Sequence, residues 1–287
     1  MIKIGVDIGG SHISAAKVHL KSESASFSDF CEAAVDTFGR KEDIIREWSN
    51  VIKSSSQGAK NVYIGIAMPG PFDYENGVSL IRDQGKMASL YQLSVRELLA
   101  NSLDIAEKQI CFINDAEAFL AGESYAGAGR NVHHSLGVTL GTGLGSAIKV
   151  QDVVKDAKLW AAPFRDGIAE DYLGTGWFVK EALHQFGLEI KGVKGLFSEY
   201  VEASVRKAIF EKFGRALGEF LFPYLIRLKS EGVVLGGKVS LASEYFLPAT
   251  QEYLDTMGYP VSLKISELGE NSALLGACLK INENPVT

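Results

Sequence analysis

Residues 2–20 read IKIGVDIGGSHISAAKVHL. Two β-prone runs flank Gly9 and Gly10, with Asp7 near the end of the first and Ser11 opening towards the second. Paired glycines directly after a strand let the backbone approach another group closely. One reading of DIGGSHIS (7–14) is a tight hairpin with a turn-stabilising Asp. The other is a turn whose N–H groups and Ser11 hydroxyl meet phosphate oxygens. In that second reading Asp7 holds Mg²⁺, directly or through water, because hard cations prefer oxygen ligands. The Gly-Lys-Ser/Thr ending of a P-loop is missing.

The same arrangement recurs along the chain, which contains 30 glycines. TLGTGLGSAI (139–148) is again strand, glycine turn, strand; its G-x-G-x-G order with no helix directly after it is a poor Rossmann match. VVLGGKVS (233–240) supplies a third turn, leading into a helix whose N-terminus suits a nucleotide's phosphate or ribose region. Around these turns the pattern is α/β. Runs at 2–8, 13–20 and 27–36 form a β-meander. Ile44, Ile45, Trp48 and Ile52 sit at helical spacing within a helix over 41–55. A strand over 61–68 ends at Pro69-Gly70-Pro71. Ser94 caps a helix over 95–101, with Glu97 three residues on. A strand over 109–113 runs into an alanine-rich helix over 116–125. The second half restarts with strands at 135–140 and 145–150. It continues through a long apolar stripe from Val205 to Leu228, in which Pro223 is expected to kink the helix. Strands at 232–235 and 261–265 and a terminal helix over 272–281 close the chain. The two halves repeat one theme.

Composition excludes several classes. The 287 residues carry 29 basic and 35 acidic side chains, a net charge of −6, and 46% hydrophobic residues. Such a chain buries a substantial core. Its mild acidity argues against a nucleic-acid partner, and no apolar run reaches the roughly 18 residues of a membrane span. MIKIGVDIGG lacks the features of a secretory signal. Cys31, Cys111 and Cys278 are odd in number and widely spaced, which suits a reducing compartment. The expected location is the cytoplasm. The histidines have no metal-ligand spacing, and no CxxC pair points to thiol chemistry.

FINDAEAF (112–119) carries the candidate catalytic pair. Asp115, at a strand end, can take a proton from a substrate hydroxyl while Asn114 orients that substrate. Equally, Asn114 or Asp115 can serve as the cap of the following helix.

DIGGSHIS, GIAMPGPFD (65–73), INDAEAFLAGE (113–123), TLGTGLGSAI, VVLGG and ENSALLGACL (270–279) occur in this order. Together they resemble the ROK family of sugar kinases, within the actin/hexokinase/Hsp70-like ATPase superfamily, over about residues 2–280. The resemblance implies two ribonuclease-H-like lobes with a central ATP/sugar cleft: a discontinuous small lobe, 1–115 plus 272–287, and a large lobe, 116–271. It implies an ATP-dependent kinase for a sugar or sugar derivative, with ATP and Mg²⁺ as cofactors and a homodimer as the family's assembly. On it, Gly9, Gly10, Ser11 and His12 match one phosphate loop, and Gly141, Thr142 and Gly143 the other. Gly236 and Gly237 match the adenosine motif. Asp115 matches the general base and Asn114 a holder of neighbouring hydroxyls, while Gly70, Lys86 and Glu170 fall on the substrate side.

The departures from the family are specific. ROK kinases usually carry a Glu-x-Gly-His sugar motif and then a Cys-rich zinc loop soon after the second phosphate loop. Residues 149–169 contain neither His nor Cys, so no structural zinc is expected. Trp160, Phe164 and Arg165 occupy that altered stretch, either rebuilding a sugar pocket or forming a shortened surface loop. Lys86 falls where the family usually has Asn; it is either a solvated lysine or a contact for an acidic or phosphorylated substrate. The missing sugar motif keeps a second reading open, a catalytically silent sugar sensor. A third is an unrelated ATPase on the same fold. An N-terminal helix-turn-helix, as ROK repressors carry, is not expected ahead of a strand starting at Ile2.

Overall fold

The N-terminal β-prone runs form an antiparallel meander of β1 (Ile2–Ile8), β2 (His12–Lys21) and β3 (Ser24–Ala34) in a computed structural model that describes residues 2–82 and 86–283. Helix α1 (Lys41–Ser56) then buries Ile44, Ile45, Trp48, Val51 and Ile52, its apolar face at helical spacing. It leads to β4 (Val62–Met68), which pairs parallel with β1. A small hairpin, β5 (Phe72–Asp73) and β6 (Val78–Ser79), is an addition that its short strands hide in the sequence. Helix α2 (Val95–Leu103) starts at Ser94, whose side chain accepts the Glu97 N–H at 3.2 Å. Strand β7 (Ile110–Asn114) and helix α3 (Asp115–Ala126) follow. The sheet order is β3-β2-β1-β4-β7, with β1, β4 and β7 parallel.

The terminal helix (Asn271–Glu283) belongs to this first unit, which comprises Met1–Gly127 and Glu270–Thr287. The unit runs on past the boundary expected at residue 115, because α3 packs along the terminal helix. Gly5 and Gly65 are cross-strand partners in β1 and β4. A Cβ on Gly5 would run into the Leu274 carbonyl, and one on Gly65 into the Ala277 carbonyl. These two glycines therefore open the sheet to the backbone of a helix, not to a ligand. Gly65→Ala is expected to destabilise the protein by about 1–3 kcal/mol through overpacking, read as a lower urea midpoint; an unchanged midpoint would mean the helix yields freely.

The second unit, Ala128–Gly269, builds the same kind of sheet. Strands β8 (His134–Leu140), β9 (Leu144–Val150) and β10 (Val153–Asp156) form its antiparallel part. A short hairpin of β11 (Pro163–Phe164) and β12 (Gly167–Ile168) precedes helices α4 (Ala169–Leu173) and α5 (Thr175–Phe186). Helix α6 (Ala203–Leu228) then runs through Pro223 without interruption. Strand β13 (Gly232–Gly236), helix α7 (Ser243–Thr256) and strand β14 (Ser262–Ile265) complete the unit. Its sheet order, β10-β9-β8-β13-β14, repeats the topology of the first, with β8, β13 and β14 parallel. Phe178, Phe210, Phe213, Phe220 and Phe246 fill its core. Phe164 joins that core, and the Arg165 guanidinium lies over the Phe164 and Tyr172 rings while pairing with Glu219. Of the three residues in the altered stretch, Phe164 is buried, while Arg165 is exposed and Trp160 is exposed at 44%.

Candidate active site

In the first unit the chemistry gathers at the carboxyl ends of the parallel strands, where α/β sheets present their ligands. Asp7 pairs across β1 and β4 with Ala67, and Asn114 ends β7 opposite Met68. Burial, and then the negative charges of Asp115 and Glu270, push the Asp7 carboxyl up to about 7. Three carboxylates thus act on one another where three separate segments meet.

The two readings of residues 114 and 115 both find a place. Asn114 is the N-cap of α3: its Oδ1 accepts the Ala116 and Glu117 N–H groups at 3.0 and 3.1 Å. Its amide donates to the Tyr74 hydroxyl at 3.1 Å, and that hydroxyl donates to the Met68 carbonyl at 3.1 Å. The cap therefore occupies the Asn114 oxygen, and one amide hydrogen remains beside the bond to Tyr74. Asp115 is the first residue of α3, with Oδ1 accepting the Ala116 N–H at 2.8 Å. A carboxylate there is favoured by the helix dipole. Gly70 sits close by: a Cβ on it would lie 3.4 Å from the Tyr74 hydroxyl.

The turn after β1 closes through the Gly9 N–H, which donates to the His12 carbonyl at 2.9 Å, and the His12 ring lies against Gly9. The N–H groups of Gly10 and Ser11 have no partner among the described residues. Both are free to meet an anion. Lys86 does not stand apart from this turn, since a Cβ on Gly10 would be 2.8 Å from its Nζ.

In the second unit, Gly141, Thr142 and Gly143 make the turn between β8 and β9, the Gly141 N–H donating to the Gly143 carbonyl at 3.0 Å. Thr175, at the start of α5, donates to the Gly141 carbonyl from both its N–H (2.9 Å) and its hydroxyl (2.7 Å). Glu170 packs its carboxylate against Gly143 and accepts the Leu144 N–H at 2.9 Å. The glutamate expected on the substrate side thus has one oxygen bracing the glycine turn. Gly237 has φ +82, and a Cβ there would run into the backbone of Leu140, the last residue of β8. Glycine is required, and the 236–237 turn lies beside the 141–143 turn. Beyond it the chain forms a 3-10 segment (Lys238–Ala242) before α7.

Glu270 opens the ENSALLGACL segment, which gives it no role by itself. Tyr74, Thr175 and Thr37 act on residues distant in the chain, and no local pattern marks them. Burial pushes the Cys278 thiol up to about 12. Among the described residues no group of three or more His, Cys, Asp and Glu side chains is arranged to hold a metal ion. Asp7 still suits a hard cation shared with a ligand, because its oxygens lie where the negative charges of Asp115 and Glu270 act on it. No helix among the described residues is long and apolar enough to cross a membrane.

A family model described as the ROK family matches residues 3–155. The glucokinase of Thermotoga maritima is 34% identical over 145 residues, which is 50% of this chain and 43% of that protein. An N-acetylmannosamine kinase of Haemophilus influenzae is 20% identical over 239 residues, 77% of each chain. Among solved structures, a ROK family glucokinase from Streptomyces griseus in complex with glucose and AMPPNP superposes with a TM-score of 0.78. It is 19% identical, with 99% of this chain and 100% of that one covered.

Proposed function

The chain belongs to the ROK family, and on that premise we propose that it is an ATP-dependent kinase that phosphorylates a hydroxyl of a sugar or sugar derivative. The observation that carries the reading is Asp115, a carboxylate at the first residue of α3 and within electrostatic reach of Asp7, beside a glycine turn with free N–H groups.

Asp115 accepts the proton of the sugar hydroxyl as its oxygen bonds to the terminal phosphorus of ATP. The bond from that phosphorus to the β–γ bridging oxygen breaks, and ADP leaves with the electron pair. Phosphoryl transfer of this kind needs positioning, charge neutralisation and one base, but no covalent nucleophile. The Asn114 amide hydrogen left over from the cap orients a sugar hydroxyl, with Gly70 allowing close approach nearby. The N–H groups of Gly10 and Ser11 receive phosphate oxygens; the 141–143 turn, taken by itself, offers backbone of the same kind. Gly236 and Gly237 give backbone access to the adenosine. Asp7 would hold Mg²⁺, which when bound draws negative charge from the phosphates. Glu170 keeps the 141–143 turn in shape.

The test is ADP release with Mg²⁺-ATP against neutral, N-acetylated and acidic sugars. A sugar that stimulates release supports the reading and names the substrate class. Tight sugar binding without turnover would favour a silent sensor instead, and sugar-independent release an ATPase.

A further inference from the structure

Lys86 stands on the phosphate side of this site. A Cβ on Gly10 would lie 2.8 Å from its Nζ and 3.0 Å from its Cδ, so the side chain runs across the face of the glycine turn. No carboxylate among the described residues pairs with it. An unpaired ammonium is usually left to solvent, but this one is anchored. The next residue, Met87, is 1% exposed and takes the left-handed conformation, with φ 58. Its N–H donates to the Thr37 carbonyl at 2.6 Å. The Thr37 hydroxyl, itself 1% exposed, donates in turn to the Gly10 carbonyl at 2.6 Å. Ser89 adds a bond to the Gly39 carbonyl at 2.9 Å. Two hydrogen bonds through one buried threonine thus fix the backbone of the lysine loop to the turn that its side chain crosses.

The electrostatics give this ammonium a task. Asp7, two residues ahead of Gly9, lies within reach of the negative charges of Asp115 and Glu270. A triphosphate entering beside them brings further negative charge, and phosphoryl transfer places more on the equatorial oxygens of the moving group. A lysine serves such oxygens as a point charge on a flexible stem.

We propose that Lys86 is a phosphate-binding residue of the 9–11 turn, its ammonium meeting the terminal phosphoryl group of ATP rather than the sugar. The assignment rests on the kinase reading. It adds to the turn a cation from a loop distant in sequence.

The experiment compares AMPPNP and ADP binding by calorimetry, with Mg²⁺ present, in wild type, Lys86→Met, Lys86→Arg and Thr37→Val. Lys86→Met is expected to weaken AMPPNP by about 10- to 100-fold, the range for a lost charge-assisted bond, and to leave ADP nearly unchanged. Lys86→Arg should recover part of the loss. Thr37→Val, which frees the loop from the turn, should weaken AMPPNP more than ADP. Equal AMPPNP affinity in Lys86→Met and wild type would overturn the assignment while leaving the kinase reading intact. So would a defect confined to the KM for acidic sugars. Failure of wild type to bind either nucleotide would remove the kinase reading and this assignment with it.

Discussion

Asp115→Asn is expected to lower kcat for sugar-stimulated ADP release by about 10²–10⁴, the usual weight of a general base. The fold should survive the change. Asn keeps an oxygen able to accept the Ala116 N–H that Oδ1 accepts at 2.8 Å, and the N-cap is supplied by Asn114, not by residue 115. The loss is therefore expected in kcat, with nucleotide affinity and the thermal transition nearly unchanged. The substitution also removes one of the charges that raise Asp7. The pH dependence of Mg²⁺-assisted nucleotide binding should then shift to lower pH in the variant. Wild-type turnover in Asp115→Asn would exclude the residue as the base.

Asp7→Asn is expected to move activity and stability in opposite directions. The folded-state carboxyl is raised from 3.8 to about 7, first by burial and then by Asp115 and Glu270. Between about pH 4 and pH 7 the folded protein therefore holds a proton that the unfolded chain has released. Stability falls as pH rises through that window, and above it the full penalty of a charged Asp7 among like charges remains. Asparagine has no charge to bury. The variant should melt higher than wild type at pH 8, with the difference shrinking towards pH 4. Replacing the carboxylate proposed to hold Mg²⁺ by a neutral amide should at the same time lower turnover by about 100-fold. Added Mg²⁺-ATP should raise the melting temperature of wild type more than that of the variant. Lower stability of Asp7→Asn at pH 8 would mean that a positive charge compensates the Asp7 carboxylate in the folded protein.

Much of this was readable in advance, for reasons tied to particular residues. The meander from Ile2, the helix from Lys41 and the cap at Ser94 follow from short-range rules of side-chain period and local hydrogen bonding. Their observed bounds differ from expectation by up to three residues at the ends. Motifs held by contiguous residues, such as DIGGSHIS and TLGTGLGSAI, carry their own turn chemistry. The altered stretch at 149–169 was legible as a departure but not in its outcome. Phe164 turned inward to the core, and Arg165 was held by two rings and Glu219.

The division between the two kinds of knowledge follows the range of the forces. Sequence sufficed for the α/β class, the repeated glycine turns and the candidate base, because strand period, turn geometry and helix capping act over a few residues. Tertiary packing alone assigned Gly5 and Gly65 to a helix backbone, Glu170 to the bracing of a turn, and Thr37 to the link between Gly10 and the loop of Lys86. It also raised Asp7, through Asp115 and Glu270 from distant parts of the chain. Burial and charge depend on which atoms meet in space, and those meetings are set by the packing of the whole unit.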